Sequence, residues 1–444
     1  MTLEGQALSI RPPAGAVVAR ERTGETVNLV MADRKDDPRW RVRIQSLEAD
    51  PSTPTSKAIA QDHLNRLQTA GEPFEILAFE PARWGGTKGD LLVVEQTLPD
   101  ESRTVNGWLV LPRGDLLFTV ITLATTREHV LDARAALESS LATLTLTDME
   151  KVYDQRAAML SAGEAFIRTL TPEKLRTLVG LDEWFRLYRP GAEGAPEREL
   201  GYVHLRVVEG LQGELEPSRR REDLRGDEAE PGLMLIARAR GLTKEDGSEL
   251  LDIEARYWMA WDRSSEAWSS RSTERKGRSM RSFAQTGVRP PARGGQPPTL
   301  TVLSVRTDLG RDHHKPSQMW DLPRASYLSV PEAMLLGWLL PRDKAEPSEY
   351  AFFAFDTKEA RLPIRLETWS PILADPASDG LRSGGRWELV TRPAMDEAAS
   401  RQVFDDKGRV RLVDADGAHS ERTTLPALLQ LWKSKGLPTG EEKR

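Results

Sequence analysis

The sequence predicts an α+β protein, and three observations carry that expectation. Apolar residues recur with period two in many short runs, such as "WRVRIQSLEAD" and "LDIEARYWMAW", the alternation of half-buried strands. Stretches of helical period are few and stand apart from long series of strands, which suits antiparallel sheets with segregated helices. At 444 residues, 39% of them hydrophobic, the chain exceeds one ordinary core, so two or three domains are expected.

Residues 1–147 read as one domain. "ALSIRPPAG" alternates Leu8 and Ile10 before a Pro-Gly turn; "VNLVMAD" and "WRVRIQSLEAD" follow as strands, with Trp40, Val42, Ile44 and Leu47 nearly in period two. "TSKAIAQDHLNRLQTAG" is a helix with Thr55 or Ser56 as N-cap, Gly71 as C-cap and Ile59, Ala60, Leu64 and Leu67 in one stripe. "GDLLVVEQTL", "VNGWLVLP" and "GDLLFTVITLA" are strands joined by hairpin-length connections, and "REHVLDARAALESSLATLTL" closes the domain with an amphipathic helix. The expected arrangement is an antiparallel sheet with its helices on one side.

The opening "LSIRPPAG", the helix at 56–70, the hairpin through "GWLVLPRGDLLFTVITLATTREH" and the last helix running into "SSLATLTL" form a pattern. In it, this segment resembles the PsbP-like and DcrB-like family of small extracytoplasmic α/β domains. "AGAVV" departs from that family, lacking the aromatic residue that often follows the first turn. The family is mostly non-enzymatic, so the resemblance implies an accessory or binding domain and argues against catalysis without naming a partner.

Residues 148–199 are expected to be a helical connector. Asp148 caps "MEKVYDQRAAMLSAGEAFIRTL", and Thr171-Pro172 opens "PEKLRTLVG", which Gly180 ends; "DEWFRLYRPG" follows and breaks at Pro190-Gly191.

Period two returns in residues 200–444 with "GYVHLRVVEG", "GLMLIARARGL" and "LDIEARYWMAW". Between the first two, "ELEPSRRREDLRGDEAEPG" holds four basic and seven acidic residues with almost no apolar ones and reads as a solvated loop. In the tryptophan-rich stretch 255–273, Ala255, Tyr257, Met259 and Trp261 share one strand face with Leu251 and Ile253, while Trp258 lies on the other. "DRSSE" supplies a turn, so Trp261 and Trp268 are placed to meet across a hairpin. "RPPARGGQPPT" is a Pro/Gly-rich break; "TLTVLSVRTD" is a strand and "ASYLSVPEAMLLGWLLPR" holds a short helix with Pro331 in its first turn. "EYAFFAFD", "LPIRLETWS", "RWELVTR" and "SRQVFDDKGRVRLVDADG" continue the strands before a helical "TLPALLQLWKSKG".

This antiparallel series with inserted helices, ending in "FDDKGRVRLVDADG", resembles the LolA-like lipoprotein-carrier fold. The resemblance implies a larger curved antiparallel sheet around an apolar cavity. On that reading Tyr257, Met259 and Trp261 are ligand-binding residues on the concave face; where helices fill the space, the same residues are core.

The chemistry-bearing motifs are sparse. Asp405, Asp406, Asp414 and Asp416 lack calcium-loop spacing and fit hairpin turns, with Gly408 and Gly417 at positive φ. His313 and His314 are adjacent, so on a strand they diverge; a surface loop is expected there. There is no cysteine, no G-x-S-x-G and no S-x-x-K, and "RWGGTKGD" is a hairpin turn in place of a phosphate loop. No cofactor and no metal are expected. The sharpest charge asymmetry gathers Arg271, Arg275, Lys276, Arg278, Arg281, Arg289 and Arg293 against Glu274 alone. Arg275, Lys276, Arg278 and Arg281 are the candidate contacts for an anionic partner.

A net charge of −6 argues against nucleic acid as a partner, and no run reaches the ~18–20 apolar residues of a membrane span. "MTLEGQALSIRPPAG" shows no signal peptide; a periplasmic or other extracytoplasmic location is expected if one was removed, and a cytoplasmic one otherwise. The expected function is non-catalytic: a binding or scaffold protein of the cell envelope holding a lipid-like ligand on the second sheet, its partners that ligand or an envelope protein. The alternatives are a protein-interaction module using residues 271–293 and an enzyme of unnamed class. Oligomeric state stays open.

Overall fold

The computed structural model describes residues 2–3, 8–23, 26–51, 55–71, 73–98, 100–114, 116–191, 196–277, 279–292, 296–308, 310–343, 346–372, 385–394, 397–415 and 417–438. The protein is α+β and divides into two compact units, Met1–Ala157 and Ala158–Arg444.

The first unit runs β1 (Thr2–Leu3), β2 (Leu8–Ser9), β3 (Val17–Thr23), β4 (Thr26–Ala32), β5 (Trp40–Glu48), α1 (Ser56–Ala70), β6 (Phe74–Trp84), β7 (Thr87–Thr97), β8 (Arg103–Pro112), β9 (Leu117–Thr126), α2 (Val130–Leu141) and β10 (Thr145–Leu146). Seven strands form an antiparallel sheet in the order β3-β4-β5-β9-β8-β7-β6. The edges, β3 and β6, are not among the period-two runs of the sequence. No residue of β6 is fully buried, and a register shift between Ile76 and Ala78 breaks its alternation.

Helix α1 ends where its sequence dictates. The Thr55 hydroxyl accepts the Ala58 amide at 3.1 Å and Gly71 closes the helix at φ 74°. Its Ile59, Ala60 and Leu64 pack with Val110 and Val120, while Ala133 and Leu141 of α2 pack with Leu109, Leu111 and Ile121. Neighbouring residues on one strand point to opposite faces, so each helix covers a face of its own. The one-sided arrangement read from the sequence did not include that distribution.

Helix α3 (Met149–Ile167) carries the chain across the boundary between the units. The second unit continues with α4 (Pro172–Arg176), β11 (Asp182–Arg189), β12 (Arg198–Leu211), β13 (Pro231–Leu242), β14 (Glu249–Ala260), β15 (Glu266–Lys276), β16 (Ser279–Arg289), β17 (Thr299–Asp308), β18 (Arg311–His314), β19 (Gln318–Asp321) and β20 (Tyr327–Leu328). Then follow α5 (Val330–Leu339), β21 (Ser348–Ala354), β22 (Ile364–Pro371), β23 (Trp387–Arg392), β24 (Ser400–Phe404), β25 (Val410–Ala415), β26 (Ala418–Thr423) and α6 (Leu425–Ser434). All sixteen strands from β11 to β26 belong to one sheet, in the order β18-β17-β16-β15-β14-β13-β12-β11-β26-β25-β24-β23-β22-β21-β20, with β19 beside β17.

Two expectations change here. "DEWFRLYR" is not helical connector but β11, in the middle of the sheet between β12 and β26. Phe185 faces the main core and Trp184 packs with the apolar residues under α6; a strand covered on both faces shows no alternation. Phe166 and Ile167 of α3, with Leu170, Leu175 and Leu178, also belong to the main core. The second change is parallel pairing: β20 and β21 run parallel, joined by α5.

That crossover accounts for the curvature. Leu300 of β17 and Trp369, Leu389 and Phe404 of β22–β24 lie far apart in strand order yet share one core cluster with α5. The sheet therefore wraps round the helix. Helix α5 has a Ser329–Glu332 capping box and Pro331 in its first turn, and eight of its ten residues are buried. A helix apolar on all sides is covered on all sides. A Cβ added at Gly337 would lie 2.1 Å from the Phe404 ring, so helix and sheet are in direct contact.

Candidate ligand-binding groove on the outer face

The residues expected on a concave binding face are core. Tyr257, Met259 and Trp261 are 8%, 0% and 9% exposed and share the cluster built round α5. The Met259 sulfur accepts the Ser329 hydroxyl at 3.0 Å, and the Arg176 guanidinium lies 4.7 Å from the Trp261 ring. Burial pushes the Tyr257 phenol up to about 12. The hairpin register pairs Trp268 with Tyr257 and closes at Met259 and Glu266. Trp261 therefore lies in the turn and does not face Trp268 across the ladder, as the sequence had suggested. The tryptophans do build a wall, since Trp258 is buried on the opposite face with Met234, Ala260 and Ala267.

Beside that core lies a charge cluster without a sequence signature. Glu266 accepts hydrogen bonds from the Tyr327 phenol and from the Val330 amide at 3.2 Å, with Arg289 Nε at 3.4 Å. Glu332 binds Arg263 and accepts the Ser329 hydroxyl at 2.7 Å. Two arginines balance two carboxylates at the N-terminus of α5, where the helix dipole favours negative charge. Burial raises the Glu266 carboxyl above the usual range, opposed by Arg289, and pushes the Tyr327 phenol well up. Glu266, Glu332 and Tyr327 are all buried, and the cluster fastens α5 to the β14–β15 turn.

The basic stretch is largely neutralised by neighbouring strands. Arg275 faces Asp252 at 3.5 Å, Lys276 faces Glu249 at 3.1 Å and Arg281 faces Asp308 at 3.3 Å. Arg289 is buried in the cluster just described. Arg278 and Arg293 lie outside the described residues. What remains is Arg271, which makes no ion pair among the described residues.

Arg271 borders a groove on the outer face of the sheet. Residues 212–230, overlapping the stretch 214–232 expected to be a solvated loop, instead form a folded flap of three 3-10 turns, Gln212–Leu215, Arg221–Asp223 and Gly226–Ala229. Leu224 is buried against Gly213, Leu215 packs on the Trp258 cluster, and Trp258 Nε1 donates to Gly210 O at 3.2 Å. Between flap and sheet is a groove of about 540 Å³ whose lining includes Arg219, Arg256, Ser269, Arg271 and Thr286.

The strand register explains the groove floor. Arg256 of β14, Ser269 of β15 and Thr286 of β16 are directly opposed in one row, and Arg271 stands two residues along from Ser269 on the same face. Arg256 donates through Nη1 to Glu214 O at 2.7 Å, while its buried Nε has no hydrogen-bond partner. It forms no ion pair among the described residues. The lining carboxylates are mostly engaged: Glu228 with Arg219 and Glu254 with Arg238; Glu216 accepts the Ser218 hydroxyl. Two guanidiniums outside any ion pair among the described residues and two hydroxyls thus share one face of adjacent strands, a donor set suited to an oxyanion, with Glu254 directly across from Arg271.

The remaining motifs are turns and surface. Asp405 accepts the Lys407 and Arg409 amides, and Gly408 and Gly417 have φ of 72° and 69°; Asp416 lies outside the described residues. Within "GRDHHKP", Arg311–His314 form strand β18, not a loop, with His313 and His314 exposed. Among the described residues, no group of three or more His, Asp or Glu is placed to hold a metal, and no helix is long and apolar enough to cross a membrane.

The chain matches no family model and no curated protein. Among solved structures it is similar to cyanobacterial PsbP (CyanoP) from Synechocystis sp. PCC 6803, at 10% identity and a TM-score of 0.25, covering 32% of this chain and 94% of that one. It is also similar to a beta-barrel-like protein of a domain of unknown function, DUF1849, from Brucella abortus, at 10% identity and a TM-score of 0.33, covering 55% of this chain and 95% of that one.

Proposed function

We propose that this is a non-catalytic binding or scaffold protein whose binding surface is the flap-bounded groove on the outer face of the large sheet. The observation that carries the reading is the pair Arg256 and Arg271, two guanidiniums on one groove floor that form no ion pair among the described residues. The buried placement of Tyr257, Met259 and Trp261 against α5 counts against a lipid-like ligand inside the sheet. It leaves the carrier resemblance without an apolar cavity at those residues. The partner class this favours carries a carboxylate, phosphate or sulfate, and an envelope location remains part of the proposal.

A fluorescein-tagged hexaglutamate peptide titrated by anisotropy tests it. Binding is expected to weaken with salt and to fall at least tenfold in the Arg256→Gln, Arg271→Gln double variant. Arg275→Gln with Arg281→Gln is expected to change little. Equal binding by wild type and the first double variant would overturn the assignment.

A further inference from the structure

The groove continues beyond its charged floor. Two rows of side chains cross the strands on the outer face. One runs Arg256–Ser269–Thr286–Leu303, and the next runs Met234–Trp258–Ala267–Val288–Thr301–Met319. The flap covers the Met234 and Trp258 end, but the far ends of both rows are open. Val288, Leu303 and Met319 are 44%, 49% and 71% exposed. An apolar strip thus leads out of the groove from Arg256 and Arg271 toward the edge of the sheet.

We propose that the groove and strip receive one extended segment of a partner protein, carrying an acidic side chain for Arg256 and Arg271 and large apolar side chains for Leu303 and Met319. This rests on the anion-binding reading above and adds the partner's chemistry. Charge complementarity selects the acidic end, because Arg256 and Arg271 form no ion pair among the described residues while the lining carboxylates Glu228 and Glu254 are held by Arg219 and Arg238. The open strip selects a polypeptide over a lone acyl chain, since a single tail on an open sheet face would keep one side in water. Side-chain recognition, and not strand addition, is the mode: Lys315 and Pro316 interrupt the edge between β18 and β19, a device that discourages edge pairing.

The geometry also sets the spacing. Arg256 and Leu303 are three strands apart, ~14 Å, and Met319 is one strand further, ~19 Å, at the usual separation between strands. An extended chain advances ~3.4 Å per residue. An acidic residue followed by apolar residues about four and six positions along matches both distances, and alternate side chains of an extended segment keep them on one side.

Panning a random twelve-residue phage library on the full-length chain tests the proposal. Selected sequences, made as synthetic peptides, are measured by fluorescence anisotropy against wild type, against Leu303→Glu with Met319→Glu, and against Arg256→Gln with Arg271→Gln. All substituted residues lie on the outer face, and circular dichroism melts verify that each variant is folded. The expected result is enrichment of acidic–apolar sequences with that spacing, and at least tenfold weaker binding to each double variant. Peptides that bind the Leu303/Met319 variant as tightly as wild type while losing the arginine variant would overturn this inference and leave the anion site standing. Peptides indifferent to the arginine pair would overturn both. Failure to enrich acidic–apolar sequences overturns the inference, as does strip-dependent binding to phosphatidylglycerol vesicles, which would assign the strip to a lipid surface.

Discussion

Glu266 and Tyr327 are hydrogen-bonded to one another inside the large sheet although 61 positions separate them in the chain. Their contact ties the start of β15 to the strand that leads into α5, and Arg289 supplies the counter-charge. Tyr327→Phe removes one donor from a buried carboxylate and should cost ~1–3 kcal/mol. Glu266→Ala leaves Arg289 uncompensated and should cost ~3–5 kcal/mol. Urea unfolding of the two variants checks both figures; wild-type stability in either would show that the cluster does not hold α5.

The same carboxylate gives the protein a pH signature. Burial pushes Glu266 and Glu367 above the usual carboxylate range, against Arg289 and Arg365 respectively. A carboxyl raised on folding binds more protons in the folded chain than in the unfolded one. Its contribution is complete below the unfolded value and is lost as pH rises through the folded value. Glu266→Gln removes one such group, so stability should fall less steeply between the ordinary carboxylate range and the raised value. Urea midpoints collected across that window test the sign; an unchanged or steeper fall would contradict it.

Gly287 sits directly beneath the Trp268 ring. A Cβ there would lie 2.1 Å from the ring, and Trp268 is wedged against Phe355 with ring centroids 5.5 Å apart. Gly287→Ala should displace the indole and cost ~1–3 kcal/mol. Near-ultraviolet circular dichroism should change along with the unfolding midpoint; a variant with native spectrum and stability would mean the indole has room to move.

Leu224 anchors the flap. Leu224→Ala removes its buried side chain from Gly213 and should raise amide exchange in residues 212–230 while leaving exchange in β21–β24 unchanged. Because the flap forms one wall of the groove, hexaglutamate binding should weaken with it. Unaltered exchange would show that other contacts hold the flap.

Local signals in the sequence located most elements. Thr55 and Gly71 bounded α1, Thr171-Pro172 opened α4, and Pro331 marked the first turn of α5. Strands with one covered face declared themselves by alternation. Those covered on both faces, such as β11, or interrupted by a bulge, such as β6, did not. The site was harder to read because it depends on pairing. Arg275, Lys276 and Arg281 look unopposed in sequence, yet each forms an ion pair with a carboxylate on an adjacent strand, while Arg271 stands across from Glu254, whose carboxylate is paired with Arg238. Leu215 and Leu224, two apolar residues in a charged stretch, were the available hint that residues 212–230 fold onto the sheet.

Arginine-selective nitrogen-15 labelling, followed by titration with hexaglutamate, observes the groove floor directly. The side-chain Nε–H signals of Arg256 and Arg271, assigned by single substitution, should shift in step with saturation while those of Arg275 and Arg281 stay near their starting positions. Shifts confined to Arg275 and Arg281, or no saturable shift at Arg256 and Arg271, would contradict an outer-face binding site.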